Sequence, residues 1–359
     1  MPRVTVVIPS HNRADLLAVT LESVRNQTFA DWECIVVDDH STDDALEIAQ
    51  RFARADSRFK SVPLTGPRQF AAYSPATPSP GRNHGMSVAT GDLINFLDSD
   101  DLMAADKLEL QVAEFDKDPT LDVVGCRHAR FSLDPATDAT QDYRYAPQSH
   151  WIEFLLGKKD KAELWQTGCP LYRTQLLRDL GGWSDDSDVA IDMDIDLRVL
   201  LHGAHVIRLD RILLFFRRAF HNNLTSLGSS ALKLRWGCNA ILENWDYMES
   251  TGQATELRRR LACDHFYRTA WVFGQSGKRA DGVRLWWHDT GAVGQGRTRT
   301  FVGIALLLLN FAVRRRFPGQ RLASWMVKRL EAGYFRHQEL LPSLLPSLDG
   351  IPVPPPSER

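Results

Sequence analysis

Along the first hundred positions, short wholly apolar runs alternate with longer stretches whose apolar residues recur every three or four places. Val4 to Pro9 (VTVVIP) has no polar alternation and is rich in β-branched residues, which predicts a strand buried on both faces, as in a parallel sheet. A helix follows in NRADLLAVTLESVRNQ, where Leu17, Leu21 and Val24 fall on one face, Asn12 is placed to cap and Asp15 lies in the first turn. Trp32 to Asp39 predicts a second strand, DDALEIAQRFA a second helix, and Phe59 to Leu64 a third strand. RNHGMSVAT then predicts a helix terminated by Gly91, and Asp92 to Asp98 (DLINFLD) a fourth strand. Such alternation predicts a doubly wound α/β sheet with its ligand site outside the carboxyl ends of the strands.

That rule gives three polar clusters one address. The first strand ends in Pro9-Ser10-His11-Asn12, the second in Asp38-Asp39-His40-Ser41, and the fourth in Asp98-Ser99-Asp100-Asp101. Each cluster alone has a second reading: Asp39 and Ser41, or Asp100 and Asp101, are suited to capping the helix that follows. Together they point to a ligand. Carboxylates one residue apart at a strand end repel each other unless a cation sits between them, and oxygen-only ligands suit Mg²⁺ or Mn²⁺. Such a metal commonly bridges to phosphates, and Arg82, in the helix after SPG, adds a second positive contact to a diphosphate.

These residues carry a resemblance. The stretch from Val4 to Ala49, followed by GRNHGMSVATGDLINFLDSDDLM, resembles the family 2 glycosyltransferases, closely over about the first 105 residues and more loosely to about residue 225. The resemblance implies a GT-A type α/β fold: a mostly parallel doubly wound sheet with helices on both faces, followed here by a helical C-terminal region. It implies inverting transfer from a nucleotide-diphosphate sugar, with Mn²⁺ or Mg²⁺, to a saccharide or lipid-linked acceptor. By the same resemblance Pro9, Ser10, Asn12 and Asp39 hold the nucleotide, Arg82 lies near base and phosphates, Asp98 reaches the ribose or the metal, and Asp100 is the metal ligand. The family's catalytic "ED" pair, expected after the Gly181-Gly182-Trp183 turn, matches Ile191-Asp192, so the Glu is missing and Asp192 is the expected general base. Asp194 is the rival, because on a helix Asp192 and Asp196 share a face while Asp194 points elsewhere. The alternative for all three acids is capping and solvating a helix. In FFRRAFHNN the family's Arg-x-His element is stretched, with His221 three residues after Arg218, and His221 is the remaining metal or phosphate candidate.

Composition divides the chain. Its net charge of −2 conceals residues 251–330, with fifteen Lys or Arg against four Asp or Glu, a net of +11 that leaves −13 elsewhere. No nucleic-acid recognition motif accompanies the basic part, so an anionic membrane surface is its expected partner. Phe301 to Val313 is thirteen residues long, too short to span a bilayer, and reads either as a buried helix or as one lying in the membrane interface. Five cysteines far apart, with no CxxC pair, predict reduced thiols. With no signal-peptide pattern at the N-terminus, the expected location is cytoplasmic, peripheral on the inner face of the membrane. The expected domains are a catalytic one over 1–225, divided at 105 into nucleotide and acceptor halves, a basic helical region over 226–345, and a Pro-rich tail over 346–359. Thr65 to Gly85 reads as a flap over the donor or as a passive loop, and Trp151 and Trp165 as sugar-stacking platforms or core aromatics. Two other functions fit the pattern less well. A sugar-1-phosphate nucleotidyltransferase wants a Gly-rich loop after the first strand, which PSHNRAD lacks, and a binding or scaffold protein would explain only the missing Glu.

Overall fold

The computed structural model describes residues 1–65, 78–140, 144–145, 151–156, 162–184, 191–218, 230–275, 279–296 and 300–307. His221, most of the Thr65–Gly85 segment, residues 308–313 of the apolar run and the Pro-rich tail lie outside them. The strands are β1 (Val4–Ser10), β2 (Trp32–Asp38), β3 (Phe59–Pro63), β4 (Leu93–Phe96), β5 (Leu102–Met103), β6 (Val123–Phe131), β7 (Arg144–Tyr145), β8 (Ala162–Glu163), β9 (Leu171–Arg173) and β10 (Val206–Arg217). The helices of the first half are α1 (Ala14–Arg25), α2 (Ala45–Ala55), α3 (Ser79–Val88), α4 (Lys107–Lys117), α5 (Pro135–Asp138), α6 (Trp151–Leu156) and α7 (Thr174–Asp179). Those of the second half are α8 (Ile191–Leu201), α9 (Ser230–Glu243), α10 (Trp245–Ser250), α11 (Glu256–Gln275) and α12 (Arg279–Ala292).

One eight-stranded sheet runs in the order β3-β2-β1-β4-β9-β6-β10-β5. The β3-β2-β1-β4 half is wholly parallel, as the apolar runs predict. The sheet as a whole is mixed, because β9 lies antiparallel to both β4 and β6, and β5 antiparallel to β10. The chain reverses its direction of travel across the sheet between β1 and β4, so the carboxyl ends of these neighbours flank the switch point where open sheets bind ligands. β1 is buried throughout apart from half-buried Pro9, and Val7 and Phe96 are register partners.

Three boundaries differ from expectation for local reasons. Asn12 does not cap α1; its own φ is +48°, and the first helical N–H, that of Ala14, donates to Asp43 across the loop at 2.9 Å. α3 begins three residues before Arg82, at Ser79, with Pro80 in its first turn, where a missing N–H is harmless. Gly91 serves close approach rather than helix termination: a Cβ there would lie 2.7 Å from the backbone nitrogen of Thr5. Trp151 and Trp165 are both buried, edge to face at 5.4 Å, and belong to the core. All five cysteines are free and buried.

The C-terminal helices pack on the α/β body through α11 against α6 and α9 against α8. Much of their positive charge is matched within the chain: Arg258 pairs with Glu153, Arg235 with Asp289, Arg268 with Asp264, and Arg260 with Glu256. Among the described residues no helix is long and apolar enough to cross a membrane.

One polar cluster ties the parallel half together. Buried Glu33 on β2 accepts hydrogen bonds from the Thr5 hydroxyl on β1 at 2.7 Å, from the Thr90 backbone at 2.7 Å and from Lys60 on β3. Burial raises its pKa, but the Lys60 ammonium and the Thr90 and Thr5 donors outweigh burial and hold it below the usual value. A depressed folded-state pKa contributes stability above the unfolded pKa and loses it as pH falls through the folded one. Glu33→Gln is therefore predicted to lose about 1.5–3 kcal/mol near neutrality, read by denaturant unfolding. The gap between the two proteins should shrink as pH drops below 4.5; equal stability at pH 7 would show the cluster to be energetically idle.

Candidate functional site

The ends of β1 and β2 are knitted into one rim. The Asp39 N–H donates to the Ser10 carbonyl at 2.8 Å, and His11 Nδ1 meets the Asp39 carbonyl at 2.7 Å. Asn12 Oδ1 accepts from the Thr42 N–H at 2.7 Å. Asn12 and His40 both adopt left-handed φ, +48° and +56°, a conformation non-glycine residues hold only when their surroundings impose it. The Ser10 hydroxyl and Asp38 Oδ1 are buried here without a hydrogen-bond partner. Buried polar atoms of that kind suit a ligand's donors and acceptors. Pro9 closes the rim on the side of α3, where a Cβ on Gly81 would touch its ring at 3.0 Å.

α3 brings Arg82 to the switch point. It lies close against the sheet because Gly85 faces Val7, where a Cβ would sit only 2.3 Å from a methyl group. The Arg82 side chain, 3% exposed, donates through Nη2 to Asp98 Oδ1 at 2.8 Å and through Nη1 to Asp192 Oδ1 at 3.3 Å. Its guanidinium lies 4.2 Å from the ring centroid of Trp183. Asn83, at the next position, holds the backbone that carries that indole, its Oδ1 accepting from the Trp183 backbone N–H and its Nδ2 donating to the Trp183 carbonyl, both at 2.8 Å. The glycines before Trp183 have φ of +81° and +75°, and a Cβ on Gly182 would lie 2.6 Å from Asn83. The Arg-Asn dipeptide and the Gly-Gly-Trp turn, a hundred residues apart, thus form one unit.

After β4 the three acids diverge. Asp98 pairs with Arg82. Asp100 lies 3.9 Å from Arg13, and its carboxyl is pushed up to about 6, first by burial and then by the neighbouring Asp98 carboxylate. Asp101 is buried and accepts the Arg217 N–H at 2.8 Å; burial, then Asp100 and Asp98, push its pKa far upward. Neither Asp100 nor Asp101 caps α4, which starts only at Lys107, after β5 has paired with β10. Among the described residues no three His, Cys, Asp or Glu side chains are gathered to hold a metal. Among the described residues a divalent cation would find two repelling carboxylates here, Asp98 and Asp100, whose hard oxygens fit Mg²⁺ or Mn²⁺ completed by phosphate and water. His221, outside the described residues, is not placed.

The three acids of α8 have separate fates. Asp192 has a side chain 49% exposed and faces Arg82. Asp194, 3% exposed, is locked by Arg198 and by Asn244 Nδ2 at 2.9 Å. Asp196 is buried and takes the Trp165 indole N–H at 2.9 Å. Asp194 and Asp196 are buried structural acids, not solvating ones, and Asp192 stands with Arg82 and Asp98.

Three site residues escaped the sequence reading. Asn83 and Trp183 lie inside quoted motifs and could have been found by asking what a clamped turn is for. Arg217, whose Nε donates to the Asp100 carbonyl at 2.9 Å and whose guanidinium lies 4.3 Å from the Phe131 centroid, had no signal beyond its place at a strand end.

Known proteins resemble this chain in sequence and in fold. Residues 5–180 match the family described as Glycosyl transferase family 2, and residues 93–326 match Glycosyl transferase family group 2. The putative glycosyltransferase EpsH of Bacillus subtilis (strain 168) is 32% identical over 180 residues, 49% of this chain and 48% of EpsH, so the chain spans about half the length of that relative. TuaG of the same organism, a putative teichuronic acid biosynthesis glycosyltransferase, is 28% identical over 265 residues, covering 70% of this chain and 92% of TuaG. The crystal structure of S. aureus TarS 1–349 in complex with UDP-GlcNAc superposes with a TM-score of 0.59 at 18% identity, covering 93% of this chain and 92% of that one, a likeness of GT-A fold. With family matches that together run from residue 5 to residue 326, the chain belongs to the family 2 glycosyltransferases.

Proposed function

We propose that the protein transfers one sugar, with inversion, from a uridine-diphosphate donor to a hydroxyl of a saccharide or lipid-linked acceptor, in the synthesis of a cell-surface polysaccharide or glycolipid. The observation that carries this reading is the Arg82 guanidinium, which joins the strand-end acid Asp98 to the half-exposed Asp192 on α8. One buried cation thereby holds the acid read as donor-side and the acid read as the acceptor-side base on its two terminal nitrogens. TarS was crystallised with UDP-GlcNAc and TuaG is named for teichuronic acid synthesis, which supports the donor and acceptor classes.

Asp192 takes the proton of the acceptor hydroxyl as the oxygen attacks the anomeric carbon. The bond from that carbon to the diphosphate oxygen breaks on the opposite face, and its electron pair leaves with the diphosphate. Arg82 meets the negative charge that develops there. A bound Mn²⁺ or Mg²⁺, held by Asp100 and Asp98, would supply further neutralisation of the leaving diphosphate. The Ser10 hydroxyl, Pro9, Asn12 and Asp39 form the rim against which the nucleotide rests, and its fixed loops orient the donor before reaction.

Two predictions follow from these roles. Asp100→Ala should abolish release of nucleoside diphosphate in the presence of donor and acceptor, and excess chelator should do the same to the unmodified protein. Full turnover in chelator would remove the metal from the reading, and donor binding without any release of nucleoside diphosphate would make the protein a binder.

Asp192→Asn should lower transfer by about 10²–10⁴-fold while donor affinity and melting temperature hold. Asp194→Asn should do the reverse, lowering stability by about 3 kcal/mol through loss of a buried ion pair while the folded fraction keeps most of its transfer rate. If Asp194→Asn is the folded but inactive variant, Asp192 is not the base.

A further inference from the structure

We infer that Trp287, Phe301 and Val302 form a contact patch that seats the C-terminal helices on an anionic lipid surface. Residues 300–307 are helical, and one side of this segment is core. A Cβ on Gly303 would lie 2.4 Å from the Trp286 ring, so the backbone presses directly on that indole, whose Nε1 donates to the Thr300 carbonyl at 2.9 Å. Leu306 and Leu307 are buried beside it. The opposite side is as apolar as the first, yet it faces water, with Phe301 56% and Val302 42% exposed. Trp287, one position along α12 from the buried Trp286, is 50% exposed, and its ring meets Phe301 edge to face at 5.4 Å. A helix apolar on both sides belongs between two apolar media, and the described residues supply only one of them.

Charge selects the second medium. Residues 271–330 carry eleven Lys or Arg and only two acids. Of those, Asp281 is 3.8 Å from Arg284, and Asp289 is buried against Arg235 and His288. The sequence around the patch is therefore strongly basic, its one exposed acid, Asp281, stands beside Arg284, and the apolar run continues in sequence to Val313 and stops at three arginines, Arg314 to Arg316. Exposed Trp and Phe side chains in a segment whose sequence is rich in Arg and Lys match the composition of a membrane interface, where aromatic rings settle at the headgroups and cations meet anionic lipid. An acidic protein partner would satisfy the charge but would leave the apolar side, which has no polar group to recognise, without a specific role. This reading stands independently of the transfer reaction, since it needs neither donor nor acceptor.

The test is co-sedimentation of the full chain with vesicles of phosphatidylglycerol and phosphatidylcholine, compared with phosphatidylcholine alone. The unmodified protein should pellet with the anionic vesicles at low salt and be released by high salt. The Trp287→Ser, Phe301→Ser double variant should partition about tenfold less at an unchanged melting temperature, and Trp287→Phe should retain binding. Should the double variant unfold, Trp287→Ser alone carries the same test with a smaller loss. The proposal is overturned if the unmodified protein ignores anionic vesicles at low salt, or if the double variant pellets equally. It is overturned equally by a lipid-free dimer that the double variant disperses, which would make the patch an interface between two copies.

Discussion

A guanidinium held almost wholly out of water is the constraint to which the rest of the site answers. A buried cation left unpaired costs several kcal/mol, so Arg82 requires carboxylates within reach and a face on which to lie. Asp98 and Asp192 supply the first and the Trp183 ring the second. Each provider needs its own support. α3 can approach β1 only because Gly81 and Gly85 lack side chains, and Trp183 can reach Arg82 only because two glycines turn the chain through left-handed φ. Elements from residues 7, 82, 98, 183 and 192 are thereby required to meet, whatever ligand the site takes.

Legibility in the sequence followed the strength of the local pattern. β1, β2 and β4 stood out as largely apolar or β-branched runs bounded by turns, β3 (FKSVP) as a shorter mixed run between turns, and the structure places all four within two residues of expectation. β5 and β9, of two and three residues, have no period to read, and the antiparallel insertion they make in the sheet could not be foreseen. Leu108, Val112 and Phe115 of α4 are buried as their spacing predicts, but so are Lys107 and Gln111, which look like solvent-facing residues. Lys107 lies wholly inside, donating to Gln111 Oε1 at 2.7 Å, because Gln111 in turn bonds the Val124 and Cys169 carbonyls across the sheet. Such an exchange of polar groups is a property of the assembled layers and leaves no trace in one helix. The strand-end acids were legible as a group; that Asp101 belongs to the backbone of β10 while Asp98 belongs to Arg82 was not.

The three acids of α8 make the same point at shorter range. They alternate in sequence and share a residue type, yet one meets Arg82, one is sealed between Arg198 and Asn244, and one bonds a core indole. Neighbours decide the fates. Trp165 comes from the segment before β9 and Asn244 from the junction between α9 and α10, so the helix bearing Asp192 is fastened by parts of the chain on either side of it. The orientation of Asp192 is thereby fixed by the contacts of Asp194 and Asp196 on the same helix.

The bond from Asn244 to Asp194 also bears on how the protein comes into being on the ribosome. A chain emerges N-terminus first, and its domains generally fold as units in that order. The parallel pairing of β1, β2, β3 and β4 is complete once residue 96 is out, whereas the Asn244 bond to Asp194 forms only after the chain some fifty residues beyond that acid has also cleared the exit tunnel. During that interval α8 lacks the Asn244 side of the clamp on Asp194. The seating of α8 therefore waits on chain that is synthesised after it.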